Sequence, residues 1–443
     1  MSDEGLFEDL PDHLRPKRGK ASGAPRLREP ARDQIELAAV DLESLIALDH
    51  PVRAIWSYVE QLDLSVLEDA VRARRHGPGR APASPRLLLA LWLYATIEGI
   101  GSARALARLC RSHDTYRWLC GGVSVNYHGL SDFRHGHPAL LERLLTENVA
   151  ALSAVGLVDL NEVVQDGVRI RACAGSASFR RRKTLKRELR KARCLVERLH
   201  RELEDDPDAS NQRMRSARER AAREREQRVR AALGKQAEIE AQRERRKKTN
   251  KKQVSEQKEP RSSTTDPQAR VMKMADGGFR PAYNGQFVNA GGGEVIIDVA
   301  TTDNGSDRGL VRPALERLKR RYGFMPPRYL VDGGFHKNED IEWAARQGVD
   351  IYGPPAQNKH ASDPYAPRPD DGPGVAAWRR RMKSPHGKSV YRRRAQGELP
   401  NARLRQGAYR QFTVRGLEKV TCVLHLFALA NNILAGHRLQ AAA

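Results

Sequence analysis

The most constraining feature of the chain is a long charged stretch, Arg180 to Lys252, set between segments patterned as strands. Leu185, Leu189, Ala192, Val196, Leu199 and Leu203 recur at alternating four- and three-residue steps, a heptad stripe on a charged helix. The polar run Asp205-Asp206-Pro207-Asp208-Ala209-Ser210 interrupts it. A second charged helix follows, carrying Met214, Ala221, Val229 and Ile239. So short a break predicts an antiparallel helical hairpin over residues 180–252. Such a hairpin is an appendage, and the core must come from the segments on either side.

Those segments alternate in pattern. Residues 1–33 are rich in Pro, Arg, Asp and Gly without periodicity and read as a disordered tail. From about Asp49 to Ser153 the pattern is helical. Ser84-Pro85 starts a helix through Leu87, Leu88, Leu91 and Tyr94, Ser102 caps a second, and a third begins near Tyr127 with Asp132, Arg134 and His135 placed outward. Short helices with glycine turns suit either a helix-turn-helix reader or a plain helical domain. Glu162–Ile170 reads as a β-branched strand, and Gly278–Val288 and Glu294–Thr301 as a hairpin around Asn289-Ala290-Gly291-Gly292-Gly293. Asp303-Asn304-Gly305-Ser306 is expected to open a helix to Tyr322, followed by a strand at Arg328–Asp332, a helix at Asn338–Gln347 and a strand at Val349–Tyr352. Residues 354–388 read as a long loop, with helices resuming at Ser389 and from Gly416 to about Leu439. The fold class is α/β, a mixed core interrupted by a basic appendage.

Charge narrows the partners. The 443 residues carry 78 Lys and Arg against 55 Asp and Glu, a net +23, and residues 180–252 alone carry 27 against 13. More than half of the excess therefore sits on the hairpin, which points to a polyanion, nucleic acid before an anionic membrane. Five cysteines without a CxxC pair fit neither a disulfide framework nor a structural zinc site, and read as thiols in a reducing cytoplasm. The longest apolar run, Leu87–Ala95, is short of the ~20 residues of a membrane helix. The acidic start, Met1-Ser2-Asp3-Glu4, lacks the order of a secretory signal. No membrane partner is expected.

Two aspartates close apolar strand segments and precede glycine, Asp166-Gly167 and Asp332-Gly333-Gly334, where glycine would let the chain turn and leave the carboxylate open. Singly, each is an ordinary turn. Tyr391, Arg394 and Glu398 are spaced i, i+3 and i+7, which on a helix gives one face, and Arg405 follows seven residues on. Pro400 must end or kink that helix.

Together these residues resemble the DDE transposases of bacterial insertion sequences, whose core is ribonuclease-H-like. One subgroup carries a Tyr-x2-Arg-x3-Glu-x6-Lys signature. Tyr391, Arg394 and Glu398 match it, with Arg405 where lysine is usual; arginine keeps the charge but is a planar fork. Asp166-Gly167-Val168 is similar to the first-acid motif and Val331-Asp332-Gly333-Gly334-Phe335 to the second. Asp49-His50-Pro51-Val52 is similar to the N-terminal domain, and Val414 to Asn432 to the closing helix.

The resemblance, over about residues 45–436, implies an N-terminal helical DNA-binding domain (45–155) and a catalytic domain (160–440) with the hairpin inserted. It implies that Asp166, Asp332 and Glu398 are catalytic and hold Mg2+, with Mn2+ substituting. Hard cations take oxygen ligands, and two can clamp an in-line phosphoryl displacement. The first and fourth strands of that fold are neighbours, which would unite Asp166 with Asp332. Tyr391, Arg394 and Arg405 would contact DNA. The implied partners are double-stranded DNA, both the element's terminal inverted repeats and the target, and a second copy when assembled on DNA, in the cytoplasm at the nucleoid. The expected function is metal-dependent strand cleavage and transfer at the element's ends. The alternatives are a nuclease of the same fold that cleaves without joining, and a non-catalytic DNA-binding protein.

Overall fold

The computed structural model describes residues 39, 41–71, 73, 81–204, 212–249, 259–356, 363–406 and 409–442. The tail expected over 1–33 and the break at Asp205–Ser210 lie outside them. Met1–Asp41 form one unit and Leu42–Ala443 a second, which holds every element below.

Seven helices lead the second unit: α1 Pro51–Glu60, α2 Ser65–Asp69, α3 Pro85–Ile97, α4 Ala103–Ser112, α5 Asp114–Cys120, α6 Tyr127–Gly136 and α7 Pro138–Ala154. The starts of α3 and α4 are as read: the Ser84 hydroxyl accepts from Arg86 N at 3.2 Å, and that of Ser102 from Ala105 N at 3.3 Å. α3 is apolar on every side, and Leu89 to Thr96 are buried without a gap, so it is the axis around which the others pack. Arg134 corrects the reading of α6. It is buried, its guanidinium lies 4.7 Å from the Trp92 ring centroid, and it donates to the Gly101 carbonyl and, at 3.1 Å, to Thr413 Oγ1.

The sheet begins with β1 Glu162–Arg171. The two-residue strand β2 Phe179–Arg180 leads into α8 Arg182–Glu204 and α9 Gln212–Thr249, and β3 Ser262–Ser263 leads back. Phe179 pairs with Ser263 and Arg180 with Ser262, so the chain leaves and re-enters the core through one clamp. The hairpin is antiparallel, with Glu188 to Arg225 at 3.1 Å and Arg182 to Glu240 at 2.8 Å between its helices. Leu185, Ala192 and Val229 fill its seam as expected, but Met214 is exposed, and Ala222 and Ala232 take the buried places where Ala221 was expected.

Next come β4 Arg270–Lys273, β5 Phe279–Ala290, β6 Ile296–Thr302, α10 Val311–Tyr322, β7 Arg328–Val331, α11 Asn338–Arg346 and β8 Asp350–Tyr352. Across the sheet β6, β5 and β1 are antiparallel neighbours, and β1, β7 and β8 are parallel ones, while β4 shares the outer edge of β5 with β6. In chain order within this sheet the first strand, β1, lies beside the fifth, β7, where the fourth was expected, because β4 adds a short strand at the edge of β5. α10 starts at Val311, later than expected, because Asp303 is held outside it by Lys235 of α9 at 2.7 Å.

Two helices stand where a loop to residue 388 was expected, α12 Pro373–Lys383 and α13 Pro385–Arg392. Both prolines occupy first helical turns, which need no amide donor, and Val375, Trp378 and Met382 bury one face of α12. A 3-10 segment, Arg393–Glu398, follows, then α14 Leu399–Gln406 and α15 Leu417–Ala442.

By length and apolarity α15 could cross a membrane, yet most of it is buried within the fold. It carries two stripes. Cys422, Leu426, Leu429 and Ile433 join the helical core, and Val420, Val423, Leu424 and Phe427 join the sheet core. Asn432 accepts from Ile296 N at 2.8 Å and donates to Ile296 O at 2.7 Å, closing the start of β6. A second tie between the cores is ionic: Asp298 of β6, buried, holds Arg317 at 2.7 Å and Arg321 at 2.5 Å, and Arg321 reaches Glu142 of α7 at 2.8 Å. Asp298→Ala should therefore cost about 3–5 kcal/mol in chemical denaturation, since it leaves the buried Arg321 without its inner partner.

Candidate active site

The register of two parallel strands builds the centre of the site. β1 and β7 pair from Glu162↔Arg328 to Gln165↔Val331, and the next residue on each is Asp166 and Asp332. Neighbouring strands lie about 4.8 Å apart and side chains alternate in face, so the two carboxylates share one face of adjoining strands. They are 166 positions apart in sequence. Asp332 ends its strand as expected, its Oδ1 accepting from Gly333 N at 2.7 Å to start a 3-10 turn.

Asp166 corrects the reading. It lies inside β1, and the strand runs straight through Gly167. A Cβ on Gly167 would meet Gln286 Nε2 at 2.6 Å and Asp307 Oδ1 at 2.8 Å. The glycine is needed for close approach of that polar layer, on the face of the sheet opposite Asp166, and no turn occurs there.

The third acid arrives on a segment laid along β1. Arg393 pairs with Glu162 at 2.5 Å, Gly397 packs on Val164, and Asn401 Nδ2 donates to Asp166 Oδ2 at 2.6 Å. Every second residue of the strand thus meets every fourth residue of the helical segment. The two rises agree: two strand residues span ~6.8 Å, and four residues span ~6 Å of α-helix or ~8 Å of 3-10 helix. Only glycine fits at 397, where a Cβ would stand 2.3 Å from Val164 Cγ1. Glu398 is held between these contacts.

Tyr391, Arg394 and Glu398 do come together, although on the end of α13 and the 3-10 turn, where one continuous helix was expected. Arg394 donates to Glu398 Oε1 at 2.7 Å, and its guanidinium lies 6.0 Å from the Tyr391 ring centroid. Burial opposes the charge of Arg394, but Tyr391, Asp166, Asp332 and Glu398 together hold its pKa above the ordinary value. One guanidinium is therefore paired with Glu398 and lies in the field of Asp166 and Asp332. Burial raises the pKa of Asp166, with the Asn401 amide and Arg394 pulling the other way. Burial also raises that of Tyr391. Arg405 is not gathered in: it is exposed in the last turn of α14, and among the described residues it makes no ion pair.

Residues 40–136 match the family described as Transposase domain (DUF772), and residues 248–433 match the family described as Transposase DDE domain. No curated protein and no solved structure matches the chain. The chain is an insertion-sequence DDE transposase. The DDE match contains Asp332 and Glu398, whereas Asp166 precedes it, on the far side of the hairpin.

The transposase holds one residue at this site that sequence reasoning missed. Asn401 is buried and bonds the first acid. Its partner is remote in sequence, so no local spacing marked it. Among the described residues no group of three or more His, Cys, Asp or Glu side chains is arranged to hold an ion as it stands. Glu398 is turned to Arg394, and like-charged carboxylates brought closer without a cation would repel.

The raised pKa of Asp166 has a testable sign. The folded state holds its proton more tightly than the unfolded chain, so its contribution to stability is present below the ordinary Asp value of 3.8 and is lost as pH rises through the raised value. In metal-free buffer, Asp166→Asn should melt higher than wild type at neutral pH and close to it at acidic pH. Parallel thermal melts across that range check this.

Proposed function

We propose that this transposase cuts DNA at the ends of its element and joins them to target DNA, with Asp166, Asp332 and Glu398 as catalytic carboxylates. The observation that carries the reading is the placement of Asp166 and Asp332 side by side on β1 and β7, with the Glu398 segment laid along the same strand. The family implies divalent metal use. The donor set suits Mg2+, with Mn2+ as substitute, because all three side chains offer hard oxygen. When bound, the metal lowers the pKa of a nucleophilic water or 3′-hydroxyl and neutralises charge on the leaving oxygen.

The chain's own groups do the rest. Asn401 fixes the rotamer of Asp166 through its amide, with the Gly167 backbone N–H also bonding that carboxylate. Glu398, paired with Arg394 at 2.7 Å, would help to hold the metal, and Arg394 would hold a strand phosphate in a two-pronged contact. Tyr391, beside Arg394, offers a ring face and a hydroxyl to the terminal nucleotide. Arg405, exposed on α14, contacts the backbone further out. Helices of residues 45–155 serve as the DNA-binding domain, residues 160–440 as the catalytic domain, and the 180–252 insert as an additional basic surface. The partners are duplex DNA carrying terminal inverted repeats, target DNA and a second protomer that joins on DNA. The setting is the nucleoid, without a membrane.

Asp332→Ala and Glu398→Gln should each lower cleavage and strand transfer by about a thousandfold, the scale of losing a group that stabilises transition-state charge. Both should bind end DNA as wild type does. Asn401→Ala should raise the metal concentration needed for half activity by about 10–100-fold, as loss of an orienting partner does. Assays with end-containing DNA and a Mg2+ titration check all three, and full activity in either acid variant overturns the site.

A further inference from the structure

At the root of the hairpin a cleft opens between three parts of the chain. Arg180 of β2, Arg225 and Arg228 of α9, Thr264 and Thr265 after β3, and Arg415 before α15 line it, with Glu188 as its one acid. The charges are unevenly answered. Glu188 takes Arg225 at 3.1 Å, and the exposed Glu224 lies 3.5 Å from Arg228. Arg180 and Arg415 are exposed and, among the described residues, are in no ion pair. Elsewhere on the hairpin arginine is commonly matched, as Arg182 is by Glu240 and Arg193 by Glu226. The cleft therefore concentrates positive charge that the fold answers only in part, through Glu188, Glu224 and the buried Asp266 in the field of Arg415.

We infer that this cleft grips a phosphate of duplex DNA, independently of base sequence and apart from the catalytic carboxylates. Guanidinium forks and threonine hydroxyls are the donors that phosphate oxygens take in protein–DNA interfaces. A free phosphate shares that chemistry, but the surroundings favour the polymer. A separate shallow groove on the outer face of α8, opposite the heptad seam, is lined by Arg187, Arg190, Lys191, Arg198 and Arg201, with Glu202 answering Arg198 at 3.6 Å. Two basic sites on one hairpin suit a polymer of phosphates better than a single free ion. The β2–β3 clamp holds the cleft rigidly to the core, on the side where Arg171 at the end of β1 pairs with Gln411. None of the residues lining the cleft is one of the three carboxylates, and from Asp166 to Arg171 is about 17 Å along the strand. The inference rests on the transposase reading only in taking duplex DNA as the substrate.

The test titrates full-length protein with a generic duplex and an end-containing duplex in chelating buffer, by fluorescence anisotropy over a salt series. Arg180→Ala/Arg415→Ala should weaken both duplexes by about tenfold at low salt. It should also flatten the slope of log K against log salt by about one, near 0.9 for the phosphate no longer neutralised. Arg180→Lys/Arg415→Lys should keep the slope and the charge that Arg415 presents to the buried Asp266. Arg280→Ala, whose charge Asp276 already answers at 2.6 Å, should change neither quantity. If the double alanine variant loses its fold, Arg180→Glu alone at its exposed position should show the same direction. Unaltered affinity and slope overturn the cleft. Inorganic phosphate, titrated at constant ionic strength, supplies the other arm: binding abolished by the alanine pair while duplex affinity stays put assigns the cleft to free phosphate and overturns the inference. Binding is read without metal, so a wild type that fails to cleave would sink the catalytic reading and leave the cleft standing.

Discussion

The site depends on β1 being read from two sides at once. Along its edge, β7 runs parallel and in register, so that Asp166 and Asp332 follow directly on the last paired residues. Over its face, Arg393, Gly397 and Asn401 meet Glu162, Val164 and Asp166 in turn. Each contact is modest alone. Their shared period is what locates Glu398, because a slip of one residue on either element would turn the strand's inner side chains to the opposite face. The 3-10 turn belongs to this fit. Its longer rise stretches the segment between Arg393 and Gly397, and its end at Glu398 lets α14 start at Leu399, with Pro400 in its first turn and Asn401 turned inward.

Long insertions are tolerated where their ends are already close, and here the ends pair with each other. The Phe179–Arg180 and Ser262–Ser263 clamp lets α8 and α9 extend from the sheet without prising β1 from β5. Lys235 to Asp303, and the Gln236 amide to the Pro260 carbonyl at 2.6 Å, fasten the returning helix to the core. The hairpin is thus held at its root, and its small seam around Leu185, Val229 and Ala232 need only keep two helices together. α15 performs the matching task inside, filling two cores with two stripes, so the helical part and the sheet share one element.

Much of this was legible in the residues. β-branched runs marked β1, β5 and β6, Ser84-Pro85 and Ser102 marked helix starts, and the heptad marked the hairpin, because each is a local preference acting over a few residues. What failed was also local. Residues 354–388 read as a loop, yet Pro373 and Pro385 each start a helix there, since proline is harmless in a first turn. Ala221 and Ala222 differ by 100° around α9, and alanine is too small for a stripe to reveal which one is buried. The union of Asp166 with Asp332 is a pairing across the sheet, and no spacing encodes it; only the likeness to a known strand order suggested it. Asn401 was invisible for a related reason. Its partner is 235 positions away, and an asparagine on a helix carries no signature of its own.

Arg394 gives the site its resting balance. Carboxylates gathered on adjoining strands favour a cation near them, and in this arrangement a guanidinium is paired with Glu398 and lies in the field of Asp166 and Asp332. A guanidinium keeps its charge at any physiological pH, so it can serve this role without titrating away. It is also a phosphate ligand. Under the proposed function the same side chain therefore has two partners, Glu398 beside it and a strand phosphate. Gly397 and Asn401 keep the segment on β1 for both. Lysine at this position could supply the charge but not the fork that suits both carboxylate and phosphate. That geometric demand explains, on physical grounds, why arginine stands among the acids.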